Sequence, residues 1–221
     1  MARKKKKSFI ERNEFLTENK GIIVTLIAIV TIVAIALIYY RVSTNFEYNG
    51  VSFIKRYDGS ILLYTAKIPT KDYFGNTNEY LLFDFRNDPR KLGNINFNYN
   101  GTIKFIDDKM TYVSYPDGEM KSCEDNSLAG AYLGLFLNRI GITYKAGLDN
   151  SSYLNSTTTP YVNCNVAPFN TVIQIRGGDE TKISKTMLSC YNIQFKDCDI
   201  LKAVEAFELK ILEQYAQSLT S

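Results

Sequence analysis

The 221-residue chain has no histidine, no tryptophan, only four cysteines and only five prolines. Without histidine there can be no Ser-His-Asp or Cys-His nucleophilic site and no His-ligated zinc. None of the cysteines (Cys123, Cys164, Cys190, Cys198) belongs to a C-x-x-C pair, so neither a zinc ribbon nor a thioredoxin-type site is expected. Basic charge is missing where a nucleic-acid binder would need it. The chain carries +3, yet its first 20 residues alone carry +4, and the part beyond residue 40 carries −1. That outer part has no electrostatic footprint for a polynucleotide, so no nucleic-acid partner is expected. No internal repeat is visible, and no metal or cofactor is called for.

What the chain does have is Gly21–Tyr40, 20 residues without a charge. Rising about 1.5 Å per residue as a helix, such a run covers the roughly 30 Å hydrocarbon core of a bilayer. Only Thr25 and Thr31 interrupt it, and a threonine hydroxyl can bond back to its own helix. Tyr39 and Tyr40 close it, where amphipathic rings favour the membrane interface. Ahead of it lie Arg3, Lys4, Lys5, Lys6, Lys7, Arg12 and Lys20 against Glu11, Glu14 and Glu18. By the positive-inside rule residues 1–20 are a cytoplasmic tail, 21–40 a transmembrane helix in contact with the lipid bilayer, and 41–221 an extracytoplasmic domain. The run exceeds a typical signal-peptide core and no small-x-small site follows it, so a retained signal anchor is expected.

In an oxidising compartment four cysteines point to two disulfides. Cys190 and Cys198 bracket an apparent strand that would hold them roughly 26 Å apart, against the 7 Å or so that a disulfide tolerates. If Asn170–Arg176 and Ser189–Lys196 form an antiparallel pair, Cys164 falls near Cys198 and Cys123 is left with Cys190.

Along the outer domain, Asn45–Ile68 reads as a hairpin turning at Asp58-Gly59. Tyr80–Phe85 is a third strand, after which Asp88 is suited to cap a short helix that has Pro89 in its first turn. Thr102–Ile106 and Met110–Ser114 read as a second hairpin around Asp107-Asp108, and Pro116-Asp117-Gly118 as a turn. Asn126–Ile142, apolar on nearly every side, is expected as a buried central helix; its uninterrupted apolar run is about half of what a bilayer needs. Residues 144–170 read as a long polar loop. Asp199–Gln217 is expected as an amphipathic cover, with Ile200, Leu201, Val204, Phe207, Ile211, Leu212 and Tyr215 inward and Lys202, Glu205, Lys210 and Glu213 outward. The fold class is α+β: an N-terminal transmembrane helix, then an antiparallel sheet covered by two helices.

Chemical motifs are thin. Ser52-Phe-Ile-Lys55 has the S-x-x-K spacing of serine–lysine acyl enzymes, but on a strand it sends the two side chains to opposite faces. Arg176-Gly-Gly-Asp-Glu180 lacks the Lys-Ser/Thr pair and the following helix of a phosphate loop. Asp107/Asp108, Glu124/Asp125 and Asp197/Asp199 are acidic pairs that nothing in the sequence places together. Asn100, Asn150 and Asn155 head N-x-S/T sequons, candidate glycosylation sites in expected surface turns.

Phe85-Arg-Asn-Asp-Pro-Arg90, Val172-Ile-Gln-Ile-Arg-Gly177 and the stretch from Cys190 to Phe207 resemble uncharacterised archaeal membrane-anchored proteins with one N-terminal span and an exported cysteine-containing domain. That resemblance bears on location and implies no activity. Lys20-Gly21 ahead of the apolar run is similar to archaeal pilin and archaellin precursors, which are cut after the glycine. Here Ile22-Ile23-Val24 replaces the polar residue that often opens the mature helix. The expectation is a membrane-anchored extracytoplasmic domain that binds or organises something at the envelope without catalysis. The alternative is a pilin-like subunit processed after Gly21, and the third a histidine-independent envelope hydrolase.

Overall fold

The structure is a computed structural model that describes residues 20–70, 79–99, 101–115, 123–149 and 159–220. The chain divides into two units, Met1–Phe46 and Glu47–Ser221. The described part of the first is chiefly helix α1 (Lys20–Thr44). Thr25 and Thr31 donate their hydroxyls to the carbonyls of Gly21 and Ile27, 2.9 and 2.8 Å away, so no polar group interrupts its apolar surface. Among the described residues it is the one helix long and apolar enough to cross a membrane, and none of its most apolar stretch is buried against protein.

The rest of the chain is α+β, built on two sheets. The first has the order β1-β2-β3-β4, from β1 (Asn45–Tyr48), β2 (Val51–Asp58), β3 (Ile61–Thr70) and β4 (Glu79–Phe85). Its tight turns follow from local chemistry. Asn49 and Gly50 both take positive φ, 49° and 82°, which a two-residue primed turn requires. Asp58 pairs with Ile61, so the next loop is Gly59-Ser60, one residue later than the sequence implied. Asp88 accepts from the Arg90 amide and caps α2 (Pro89–Leu92), in agreement with the expectation for that corner.

The second sheet is mixed, with the order β5-β9-β10-β8-β6-β7. Its strands are β5 (Asn96–Asn98), β6 (Thr111–Tyr115), β7 (Tyr144–Leu148), β8 (Thr171–Gly177), β9 (Lys182–Met187) and β10 (Cys190–Phe195). This corrects the expected single antiparallel sheet. β6 pairs in parallel with both β7 and β8, and β8 in parallel with β10. Parallel neighbours need crossovers of a dozen or more residues. Helix α3 (Asn126–Arg139) supplies one between β6 and β7. Between β8 and β10 the chain inserts β9, which runs antiparallel to β10, so β10 enters between β9 and β8.

The expected hairpin over 102–114 is also corrected. Only β6 is a strand there; Thr102–Ile106 is irregular because side chains, not a neighbouring strand, take its amides. The Ile103, Lys104 and Ile106 amides donate to the Gln214 carbonyl oxygen, the Tyr191 hydroxyl and the Thr171 hydroxyl. Part of the expected 144–170 loop is strand β7. The expected turn at Pro116-Asp117-Gly118 lies outside the described residues.

The two helices exchange the roles expected of them. Helix α3 exposes Ser127, Ala131, Leu135 and Asn138 along one side and packs its other side chiefly on the C-terminal helix and on β7, rather than filling the core. The C-terminal helix α4 (Ile200–Thr220) is the central one: it packs on β9 and β10, on β2 of the other sheet, and on α2 and α3. From Ile200 to Leu209 it exposes only Lys202. Its supposed outer face is covered by the first sheet, so Glu205 and Glu213, expected outside, are buried along with Glu208.

The cysteine pairing is Cys123–Cys198 and Cys164–Cys190, with Cα atoms 5.4 and 5.7 Å apart. It corrects the pairing inferred from an antiparallel β8/β10. Because these strands run parallel, Cys190 lies opposite Val172, and the segment leading into β8 brings Cys164 to it. Cys198 then joins Cys123, tying together the chain just ahead of α4 and of α3.

Candidate functional site

A carboxylate inside a protein is unfavourable unless hydrogen bonds replace its water. Glu205 has them. Its Oε1 accepts from the Arg86 amide at 2.6 Å, and its Oε2 from the Asn87 amide and the Asn87 side chain at 3.0 and 2.8 Å. The residue thus satisfies the bend between β4 and α2 from inside the core. Burial pushes its carboxyl up to about 7, against the pull of those donors.

Glu208, one turn further along α4, is 3% exposed, and its Oε1 has no hydrogen-bond partner among the described residues. Burial first, and the neighbouring Glu205 charge second, hold its carboxyl well above the usual carboxylate range. It lines a cavity of about 170 Å³ between β4, α3 and α4. Phe83, Tyr132 and Phe136 wall this space, Asp84 lies on it, and Leu135 and Arg139 stand at its exposed side. Burial raises the Tyr132 phenol, Arg86 opposes that, and the Glu205, Asp84 and Glu208 carboxyls add to the rise. The interior therefore disfavours added negative charge.

Among the described residues lining this cavity, no second free carboxyl stands beside Glu208. Both Asp84 oxygens are engaged, by Arg56 Nη2 and by the Thr65 hydroxyl at 2.6 Å each. Arg139 turns its guanidinium to the Leu82 carbonyl. A larger groove of about 510 Å³ adjoins through Phe83 and Arg139, but it is walled by aliphatic groups such as Ile68, Leu81, Ile103 and Leu212. The Gln214 carbonyl oxygen there is already held by the Ile103 amide, leaving little to orient a ligand.

The residues singled out in the sequence are elsewhere. All four cysteines are in disulfides. Ser52 and Lys55 are both on β2, three residues apart and thus on opposite faces. Arg176 and Gly177 end β8, and the chain continues into β9 rather than into a helix. Among the described residues no group of three or more Cys, Asp or Glu is placed to hold a metal, although the Cys123–Cys198 bridge brings the chain at Glu124 and Asp125 beside that at Asp197 and Asp199. Asn100, Asn150 and Asn155 lie outside the described residues. Glu208 was not singled out from the sequence; the available signal was its i, i+3 spacing from Glu205 within Ala203–Leu209, a stretch otherwise apolar.

Comparison of this chain with protein-family models, with curated proteins and with solved structures finds no match. The apolar N-terminal helix and the two disulfides fit a membrane-anchored or secreted extracellular domain.

Proposed function

We propose that the chain is a single-pass membrane protein: residues 1–20 a cytoplasmic tail, 21–40 the span, and 41–221 an extracytoplasmic domain that binds a ligand or partner at the cell envelope without catalysis. The observation that carries this reading is α1, whose apolar surface finds no cover in protein, followed by a domain closed by two disulfides. The seven basic residues ahead of the span set the orientation, because basic flanks stay on the cytoplasmic side. The binding role draws on Glu208, whose Oε1 has no partner among the described residues and which lines a cavity, and on Asp84 beside it being held by Arg56 and Thr65.

Protease added to intact cells tests the placement. Loss of the 41–221 domain without cell lysis is the expected result. A domain that resists protease until the membrane is opened, and is then digested, would place it in the cytoplasm and end this reading.

A further inference from the structure

Glu208 is the carboxyl in the cavity that the fold leaves without a donor. Glu205 behind it is held by three donors, and Asp84 across from it by Arg56 and Thr65. A buried acceptor with no donor raises the energy of the empty protein, and a ligand that supplies N–H groups relieves it. The walls narrow the choice. Phe83 and Phe136 have ring centroids 5.1 Å apart, and Tyr132 completes an aromatic lining whose faces attract a cation.

The charged groups facing this space come from each element around it. They are Asp84 on β4, Tyr132 and Arg139 on α3, and Glu208 on α4, with Arg86 and Glu205 near enough to act on the Tyr132 phenol. Of the cations near it, Arg139 is drawn to the Leu82 carbonyl at the exposed side, Arg56 is bound to Asp84, and Arg86 acts on the Glu205 carboxyl, which it pulls down. The space left is about 170 Å³, and a cavity of roughly 150 Å³ accommodates a benzene-sized guest. An alkyl chain of four or five carbons has that bulk.

We propose that this cavity binds the primary ammonium end of an aliphatic amine, Glu208 accepting its N–H groups and the three rings packing its methylenes. The proposal names the ligand of the envelope-binding domain inferred above and rests on that reading. A quaternary ammonium has no N–H for the Glu208 oxygen, and a carboxylate ligand would bring a further negative charge into an interior that disfavours it. Burial favours the protonated form of Glu208 in the empty cavity. Binding therefore exchanges that proton for the ammonium: the Glu208 O–H bond breaks, the proton leaves to solvent, and a carboxylate–ammonium pair forms. Affinity consequently rises with pH, by up to about tenfold per unit below the pKa of Glu208.

Calorimetric titration of the full-length chain in detergent with 1,5-diaminopentane tests this, with 1,5-pentanediol, glutarate and the fully N-methylated diamine as controls. The expected result is saturable binding of the diamine alone, with proton release seen as a buffer-dependent heat and an affinity that climbs from pH 5 to pH 7. Glu208→Gln lowers that affinity at least tenfold. Leu135→Trp, a change at an exposed position beside the opening, does the same without touching the core. Equal binding of the diol, tighter binding of glutarate, undiminished binding by Glu208→Gln, or no saturable heat with the diamine (water alone filling the cavity) each overturns the assignment. An outward-facing domain without amine binding ends this inference alone. A cytoplasmic domain that still binds the diamine ends the envelope reading alone.

Discussion

Glu205 and Glu208 titrate inside a protein that has no histidine, so few other side chains change charge between pH 5 and pH 7.5. The folded chain keeps a proton on Glu205 up to about pH 7, whereas the unfolded chain releases it near 4.5. Stability from this group is therefore fully present below 4.5 and is lost as the pH rises towards 7. At 1.36 kcal/mol per pKa unit the loss is about 3 kcal/mol. Glu208 shifts in the same direction and adds to the fall. Urea unfolding of the full-length chain in nanodiscs, followed by tyrosine emission, reads this directly, because the chain has 16 tyrosines and no tryptophan. The urea midpoint is expected to drop by roughly 1–2 M between pH 5 and pH 7.5, for a denaturant slope of about 2 kcal/mol per molar. Glu205→Gln/Glu208→Gln flattens the dependence, since neither amide titrates. The single Glu205→Gln change also weakens the fold by about 1–3 kcal/mol at acid pH, because its NH₂ confronts an amide donor of the Arg86–Asn87 bend. Stability that rises from pH 5 to pH 7.5, or a double variant as pH-sensitive as the parent, would refute the burial argument.

Non-reducing peptide maps should yield Cys123 linked to Cys198 and Cys164 linked to Cys190. From sequence separations of 75 and 26, loss of each bridge should cost about 4.5 and about 3.5 kcal/mol, the Cys123–Cys198 bridge being the more damaging to remove in thermal unfolding of serine variants. Tyr191→Phe removes the hydroxyl that accepts from the Lys104 amide and donates to its carbonyl; a stability loss of about 1–3 kcal/mol is expected by urea titration, and no loss would mean that water replaces it. Intact mass of the protein from native membranes should retain residues 2–20; a mass beginning at Ile22 would turn the account towards a pilin-like subunit.

Local features were legible because local chemistry decides them. Gly21–Tyr40 has no alternative to a helix in lipid, where every backbone group must be satisfied within the segment. Asp88 and Pro89 announce a helix start, and the Gly59 turn a hairpin, within four residues of chain. The segment 102–106 misled because its strand-like pattern is overruled by Gln214, Tyr191 and Thr171, which lie 65 to 111 positions away in sequence from the residues they hold.

The sequence by itself determined the apolar N-terminal helix, the cysteine count, the missing histidine chemistry and the presence of helices near Asn126–Arg139 and Ile200–Thr220. Only the tertiary structure decided strand direction, disulfide pairing and which helix lies at the centre. Direction depends on crossovers such as β9, whose placement beside β10 is a long-range matter that no periodicity records. The centre of the fold was hidden by Glu205, Glu208 and Glu213, since a carboxylate reads as solvent-facing until its partners are known. For Glu205 those partners are the amides of Arg86 and Asn87, nearly 120 residues earlier; Glu208 lies against the cavity between β4, α3 and α4, with no partner for its Oε1 among the described residues.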